Sequence, residues 1–131
     1  MKYKYNIDLD IKWGGFMTEI FKALSEESRL RILSLLMDKE MCVCELEVCL
    51  KMTQSNASRH LMILKKSGIL ESYKNAQWAY FRISDKFKEE HRYLWEYLQI
   101  HLKEIRTYER DYTEREKYKG IDICSYMSGL H

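Results

Sequence analysis

The residues best suited to chemistry in this sequence are four cysteines, three of which fall between Cys42 and Cys49. Cys42 and Cys44 are separated by a single residue, so two sulfur ligands lie close together along the chain. Sulfur is a soft ligand that prefers soft, polarisable centres such as As(III), Sb(III), Cd(II) and Pb(II) over oxygen-seeking cations. The pair therefore predicts a binding site for a thiol-seeking metal or metalloid.

A third ligand for this site is left open by the sequence, and trivalent arsenic usually takes three thiolates. Cys124 is the first candidate, either folding back onto the pair or crossing from a partner chain. Cys49 is the less favoured one, because it shares the inner side of a short helix with Leu46 and Leu50, where free cysteine packs as a small hydrophobe. A small thiol or hydroxide is a further alternative.

The local structure around the pair suggests how binding would be sensed. Cys44 falls at a predicted helix N-terminus, whose partial positive charge should lower the pKa of its thiol. Residues two apart in a regular helix point about 200° away from each other, so Cys42 and Cys44 would not reach one ion from within it. We therefore expect binding to distort the start of this helix and to move the segment that follows.

The segment that follows is predicted to be a helix-turn-helix. Residues 45–50 form a short helix, Lys51 and Met52 a turn, and Thr53 caps a second helix that ends at Gly68. Small polar groups and arginine on its outer face are typical of a helix that reads DNA in the major groove, although an ordinary surface helix is the alternative. The predicted DNA contacts are Thr53, Gln54, Ser55, Asn56, Ser58, Arg59 and Lys66.

Two segments rich in aromatic and β-branched residues, 69–74 and 77–83, predict a β-hairpin after this helix. Lys74, Asn75 and Gln77 at its tip are predicted to contact DNA, with a solvated turn as the alternative. Between Lys51 and Arg82 six basic residues stand against one acid, whereas the whole chain carries a net charge of only +2. This local positive charge favours a phosphate backbone as partner.

Length and composition narrow the class of protein. The 131 residues suit one domain, residues 1–131, and a hydrophobic fraction of 46% is typical of a folded chain. No apolar run approaches the ~18 residues of a membrane helix and no signal-peptide core follows the N-terminus, so we expect a cytoplasmic protein with reduced cysteines. Glycine-rich phosphate loops and nucleophile motifs are missing from the sequence, which predicts that it is not an enzyme.

Three further segments complete the predicted organisation. Residues 1–15 form an N-terminal arm, and residues 85–118 read as one long helix. A second copy of that helix is the simplest cover for its apolar stripe, which predicts a homodimer. Residues 119–131 have no clear period and are a candidate flexible tail.

Four stretches of this chain resemble the ArsR/SmtB family of metal-sensing winged-helix repressors, in its order and with its spacing, over roughly residues 16–84. They are residues 21–33, residues 42–46 (Cys-Val-Cys-Glu-Leu), residues 54–61 and residues 64–70. Cys-Val-Cys-Glu-Leu is similar to the arsenic- and cadmium-type sensors of the family. Glu27 stands where the family usually has proline, and Glu47 where some arsenic repressors place a third cysteine.

The resemblance implies a mainly α-helical winged helix-turn-helix with a β-hairpin wing, dimerised through its terminal helices. It implies a homodimer that holds operator DNA until As(III), Sb(III) or another soft metal binds the cysteines, with no required cofactor. The alternative is a thiol redox or reactive-sulfur sensor on the same fold, in which oxidation of Cys42, Cys44 or Cys124 acts as the switch.

Overall fold

The computed structural model describes residues 16–128, so the predicted N-terminal arm, residues 1–15, lies outside the described residues, as do residues 129–131. Helices carry most of this part of the chain, around a three-stranded antiparallel sheet. In chain order the elements are α1 (Met17–Leu24), α2 (Glu27–Leu36), β1 (Met41–Cys42), α3 (Val43–Leu50), α4 (Gln54–Lys66), β2 (Leu70–Asn75), β3 (Trp78–Ile83), α5 (Asp85–Glu90), α6 (Arg92–His101), α7 (Tyr108–Lys117) and α8 (Ile123–Ser128).

Helices α3 and α4 form the predicted helix-turn-helix. The chain leaves α3 through Lys51, whose left-handed backbone (φ 56°) allows the tight reversal. Thr53 begins the next helix, because its Oγ1 accepts a hydrogen bond from the backbone N–H of Asn56 at 3.2 Å. Helix α4 ends at Ser67, just before Gly68 adopts a φ of 88°.

Strands β2 and β3 form the predicted hairpin, joined by the two residues Ala76 and Gln77. Ala76 takes the positive φ of 61° that such a turn requires, although alanine rarely provides it. A third strand, β1, pairs with β3 and places Cys42 opposite Tyr80. The sequence did not predict β1, because two residues are too few to show an alternating pattern.

One hydrophobic core joins these elements. Helix α2 contributes most to it, and α3, α4 and the two long strands close around α2. Each side chain buried in this way contributes roughly 1.5 to 3 kcal/mol. Among the described residues, no helix is long and apolar enough to cross a membrane. The largest fully buried side chains include Ile32, Leu33, Leu35, Leu46, Leu50, Leu61, Leu64 and Phe87.

The prediction of one long helix over residues 85–118 is wrong. His91, with φ −124° and ψ 50°, separates α5 from α6. A 3₁₀ turn, Leu102–Glu104, and the extended residue Ile105 then separate α6 from α7. The reversal allows α7 to pack against α2 and α3 of its own chain. The face of α7 that we expected a second copy to cover is therefore covered within the chain.

Residues 123–128 of the predicted flexible tail form helix α8. This helix packs against α3, and its residues Ile123 and Cys124 are buried. Gly120, with φ 83°, provides the turn between α7 and α8. The end of the described chain thus returns to the helix that begins with the cysteine pair.

Candidate metalloid site and nucleic-acid interface

Cys42, Cys44 and Cys124 come together at the N-terminal end of α3. Their three Sγ atoms lie within 4.8 Å of one another. Cys42 and Cys124 form a disulfide, which differs from the expectation of reduced cysteines. A zinc–thiolate bond is about 2.3 Å long, so one such ion reaches sulfurs up to about 4.6 Å apart. For three sulfurs to share one ion, the disulfide between Cys42 and Cys124 would first have to be reduced, and those two sulfurs would then move apart.

The two cysteines of the pair reach this position because Cys42 lies outside the helix. It is the N-cap residue of α3 and has an extended backbone, with φ −88° and ψ 165°. Its N–H donates to Glu45 Oε1 at 2.9 Å, which fixes the start of the helix. Cys44 belongs to the first turn of α3. The expectation that binding must distort a helix is therefore wrong, since both thiols converge without it.

Cys124 reaches the pair from α8 of the same chain, so no partner chain is needed to supply a third sulfur. Cys42 and Cys124 are both buried, whereas Cys44 is half-buried and gives the cluster its opening to solvent. The Cα atoms of Cys42 and Cys124 are 7.7 Å apart. Disulfides usually join Cα atoms about 4.4 to 6.8 Å apart, so the backbones of these two cysteines are spaced more widely than in most disulfides.

The protonation of Cys44 differs from the prediction. Burial raises the pKa of its thiol, with a further contribution from the carboxylate of Glu47. These effects outweigh the hydrogen bond from the backbone of Cys44 itself, which acts in the opposite direction. At neutral pH the Cys44 thiol is therefore protonated, and an ion that binds it must displace a proton.

Cys49 lies apart from this cluster and belongs to the hydrophobic core. It is 2% exposed, and burial raises the pKa of its thiol to about 11. A thiol with these properties is chemically inert and packs as a small apolar side chain. This burial supports the interpretation of Cys49 as a core residue.

The predicted DNA contacts form an exposed surface on α4 and on the tip of the hairpin. Ala57, Leu61 and Leu64 face the core, as their spacing predicts, and leave the polar side of α4 to solvent. In the hairpin, Arg82 pairs with Glu71 across the strands, so Lys74 is its main cation at the tip. The exposed residues are Thr53, Gln54, Ser55, Asn56, Ser58, Arg59, Lys66, Lys74, Asn75 and Gln77.

His60, although it belongs to α4, is buried and points away from this surface. Its Nδ1 lies 3.1 Å from Nη1 of Arg29, and its Nε2 lies 3.8 Å from a carboxylate oxygen of Glu26. Arg29 also donates to the carbonyl of Ala23 at the end of α1 at 2.7 Å. His60 therefore connects α4 to α2 and, through Arg29, to α1.

Arg31 and Asp111 are the residues near the site that sequence reasoning missed. They form a buried ion pair between α2 and α7, and Arg31 also donates to the carbonyl of Leu50 at the end of α3. Neither residue belongs to a motif, and 80 positions separate them. A charged residue within the apolar pattern of α2 was the only available signal.

Comparison with known proteins agrees with this geometry. Residues 19–72 match the family described as "Bacterial regulatory protein, arsR family". An arsenic resistance transcriptional regulator of Pseudomonas putida is 40% identical over 77 residues, which cover 53% of this chain and 60% of that protein. An uncharacterized HTH-type transcriptional regulator of Methanocaldococcus jannaschii is 45% identical over 73 residues, or 54% of this chain and 82% of that protein.

A solved structure shows the same fold. It is the NMR structure of a homodimeric winged helix-turn-helix DNA-binding domain from Mycobacterium bovis, described as a possible ArsR-family transcriptional regulator. The two are 30% identical with a TM-score of 0.56, over 63% of this chain and 74% of that one. The mainly helical architecture, the wing and these relatives together show that the chain belongs to the arsR family of bacterial regulatory proteins, which are transcriptional regulators and not enzymes.

Proposed function

We propose that this protein is a homodimeric repressor that binds operator DNA and is released when As(III) or Sb(III) binds Cys42, Cys44 and Cys124. The observation that carries the proposal is the convergence of the three Sγ atoms within 4.8 Å at the start of α3. The match spans about 60% of the Pseudomonas putida regulator, whose name refers to arsenic resistance. Cd(II) and Pb(II) are further candidate inducers, and no cofactor is required.

The chemistry of the cluster favours a soft trivalent ion. Three sulfurs and no carboxylate or histidine make up the group, and thiolates bind metalloids in preference to oxygen ligands. Two of the three thiols are buried, so few water molecules compete for the ion. Partial exposure of Cys44 leaves a route by which the ion can enter.

DNA binding is supported by the exposed polar side of α4 and by the wing. Arg59, Asn56 and Gln54 offer groups that hydrogen-bond base edges in a major groove, and Lys74 at the wing tip suits a phosphate. Thr53 and Ser55 at the start of α4 lie at the end of a recognition helix that usually contacts bases. We propose that these residues, together with Ser58, Lys66, Asn75 and Gln77, form the interface.

Coupling between the two sites follows from the elements that they share. Cys42 belongs to β1, which pairs with the wing strand β3, and Cys44 belongs to α3, which packs against α4. An ion bound by Cys42, Cys44 and Cys124 would hold their sulfurs at separations different from those in this structure, and would therefore act on both DNA-contacting elements. If the resulting arrangement fits DNA less well, DNA binding and ion binding oppose each other by the same free energy.

Dimerisation is supported by an apolar surface that α1 and α6 leave exposed. We call this surface the α1–α6 face; its members are Met17, Phe21, Tyr93, Tyr97 and Ile100, which are 54% to 76% exposed. Contiguous apolar surfaces of this kind mark association sites. A second copy of the chain, placed so that the two α4 helices reach successive major grooves, is the occupant that a palindromic operator would need.

Thiol oxidation is the second candidate, favoured by the disulfide that joins Cys42 to Cys124 in this structure. A peroxide would oxidise the two thiols to a disulfide, with two electrons and two protons passing to the peroxide to form water. The same elements would move, so the two candidates differ in the inducer and not in the output.

One titration separates these candidates. Labelled operator DNA bound to the reduced protein is followed by fluorescence anisotropy while As(III), Sb(III), Cd(II), Zn(II) or hydrogen peroxide is added. We expect release by As(III) and Sb(III), with an arsenic adduct in the mass spectrum. Release by peroxide with a loss of two hydrogens would instead assign the redox function.

Single variants assign the thiols in the same assay. Cys42→Ser, Cys44→Ser and Cys124→Ser should bind operator normally but no longer respond to As(III). Cys49→Ala is the matched control, since Cys49 lies in the core, and it should respond as the unmodified protein does. The proposal would be overturned if As(III) still released both the Cys42 and the Cys44 variants from DNA normally. It would also be overturned if the unmodified protein bound operator equally well with and without arsenite.

A further inference from the structure

We propose that the buried ion pair between Arg31 and Asp111 is the positioning device that docks α7 and α8 on α3 and so holds Cys124 against Cys42 and Cys44. Its relevance to metalloid sensing rests on the function proposed above, whereas its effect on Cys124 can be measured without any metalloid. Neither residue would touch the bound ion, so both are positioning residues.

The ion pair joins helices α2, α3 and α7 and the residue that precedes α7. Arg31 donates from Nε and Nη2 to the two carboxylate oxygens of Asp111, each at 2.9 Å. The same Nη2 donates to the carbonyl of Leu50, the last residue of α3, at 3.0 Å. Thr107, just before α7, donates to Asp111 Oδ2 at 2.9 Å. Helices α2, α3 and α7 are thus fixed to one another at a single point.

Burial makes this contact sensitive to the loss of one partner. The side chain of Asp111 is 1% exposed and that of Arg31 is 15% exposed. A buried charge without its partner is strongly unfavourable, so removing either residue should release the element that carries the other. Helices α7 and α8 contribute no residue to the buried core cluster, so α7 depends on polar contacts, those of Asp111 and those of Arg115 with the Leu35 carbonyl and Asp38.

Cys124 depends on this docking because α8 has little to hold it in place alone. Only residues 118–122 separate α8 from α7, and Cys124 is the second residue of α8. A helix of six residues is too short to be stable by itself, so its position is set by α7 and by its contact with α3. If α7 leaves α3, Cys124 should leave the cluster with it.

A second ion pair in the same region offers a matched control. Arg106 donates to both carboxylate oxygens of Glu27, at 3.1 and 3.3 Å, and likewise joins α2 to the segment before α7. Its side chains are 81% and 46% exposed, however, so water screens the interaction and it should contribute little. The two pairs differ in burial, and only the pair of Arg31 and Asp111 also contacts α3.

The test compares the reactivity of two buried cysteines in the reduced, full-length protein. Asp111→Asn and the control Glu27→Gln are alkylated with iodoacetamide, and the rate at each cysteine is read by peptide mass spectrometry. We expect Asp111→Asn to raise the rate at Cys124 by more than about tenfold, because an uncompensated buried arginine remains. The rate at Cys49 should rise less, because Cys49 lies in the core, although Arg115 and Glu114 of α7 act on its thiol. Glu27→Gln should change neither rate.

Two results would overturn the proposal. One is an unchanged rate at Cys124 in folded Asp111→Asn, and the other is a parallel rise at Cys49 and Cys124, which would assign the pair to overall stability. If Asp111→Asn does not fold, Thr107→Val provides the test, because it removes one hydrogen bond to Asp111. It should raise the alkylation rate at Cys124 by less than Asp111→Asn would, and should leave the rate at Cys49 unchanged. Failure of arsenite to release DNA would contradict the proposed function but leave this result unaffected.

Discussion

Cys42 lies directly opposite Tyr80 in the antiparallel pair of β1 and β3. Tyr80 in turn stacks on Tyr73 of β2, with ring centroids 5.6 Å apart. The strand that carries the first thiol of the candidate site therefore pairs directly with one wing strand, β3, which in turn pairs with β2. The wing and α4 are the two elements proposed to contact DNA, and each adjoins one of the two paired cysteines.

This arrangement predicts that As(III) changes the wing as well as α3. Hydrogen exchange of the free protein, measured by mass spectrometry, should differ from that of the arsenite complex in peptides that cover residues 78–83. The difference should disappear in Cys42→Ser. Exchange that changes only in residues 43–66 would show that the signal reaches DNA through α4 alone.

Lys74 provides a test of the wing as a phosphate contact. DNA binding weakens as salt rises, and the slope of log affinity against log salt concentration reports the number of phosphate contacts. Lys74→Ala should make this slope shallower by about one, because one counterion fewer is released. Raising the salt concentration from 50 to 200 mM should therefore reduce the ratio between the DNA dissociation constants of the two proteins about threefold. Lys119→Ala, a change at an exposed lysine after α7, should leave the slope unchanged. Parallel slopes for Lys74→Ala and the unmodified protein would remove the wing tip from the interface.

His60 should make stability depend on pH. Burial lowers its pKa below the value of about 6.5 expected in an unfolded chain, Arg59 and Arg29 act in the same direction, and Glu26 opposes them. As pH falls through 6.5 the unfolded chain therefore takes up a proton first, and stability that is complete above this pH is lost as the pH approaches the folded pKa.

Urea unfolding between pH 5 and 8 measures this effect. His60→Asn is the comparison, because asparagine can keep an acceptor near Nδ1 for Arg29 and does not titrate. The difference in free energy of unfolding between the two proteins should shrink as pH falls below 6.5. Curves that stay parallel over the whole range would mean that His60 does not cause the loss.

The parts of the fold that were predicted from sequence depend on local rules. Ala57, Leu61 and Leu64 share one side of a helix by spacing alone, and Thr53 caps that helix by its chemistry. The wing followed in the same way from its run of β-branched and aromatic residues. Cys42 and Cys44 were recognised as a thiol pair because they are neighbours in the chain.

The parts that were not predicted depend on contacts between distant residues. The break at Ile105 carries no proline or glycine, and α7 turns back because Asp111 and Arg115 find partners in and just after α2. The position of Cys124 follows from that reversal. The pKa of Cys44 was predicted in the wrong direction, because its burial and the carboxylate of Glu47 come from the folded surroundings.

The α1–α6 face gives a prediction about assembly. Ile100 is 63% exposed, and Ile100→Glu would place a charge in the proposed interface. Because burying an unpaired charge is costly, we expect the dimer dissociation constant to rise at least about tenfold in sedimentation experiments. Operator affinity should fall with it, since two half-sites are no longer held together. Ile121→Glu, at an exposed isoleucine after α7, should leave the dimer intact. A dimer that survives Ile100→Glu unchanged would place the interface elsewhere.

The protonation of Cys44 predicts how Cd(II) affinity depends on pH. A thiol that binds aqueous Cd(II) releases its proton to solvent, and burial together with Glu47 raises the pKa of Cys44 above its ordinary value. The apparent affinity should therefore still be rising at alkaline pH, where an unperturbed thiol would already be largely ionised. Removing the negative charge in Glu47→Gln should lower the pKa of Cys44 and raise the affinity at neutral pH, although burial remains the larger effect. Titrations followed by thiolate absorbance at pH 6.5, 7.5 and 8.5 measure both changes. An affinity that does not vary with pH would exclude Cys44 as a ligand that binds with loss of a proton.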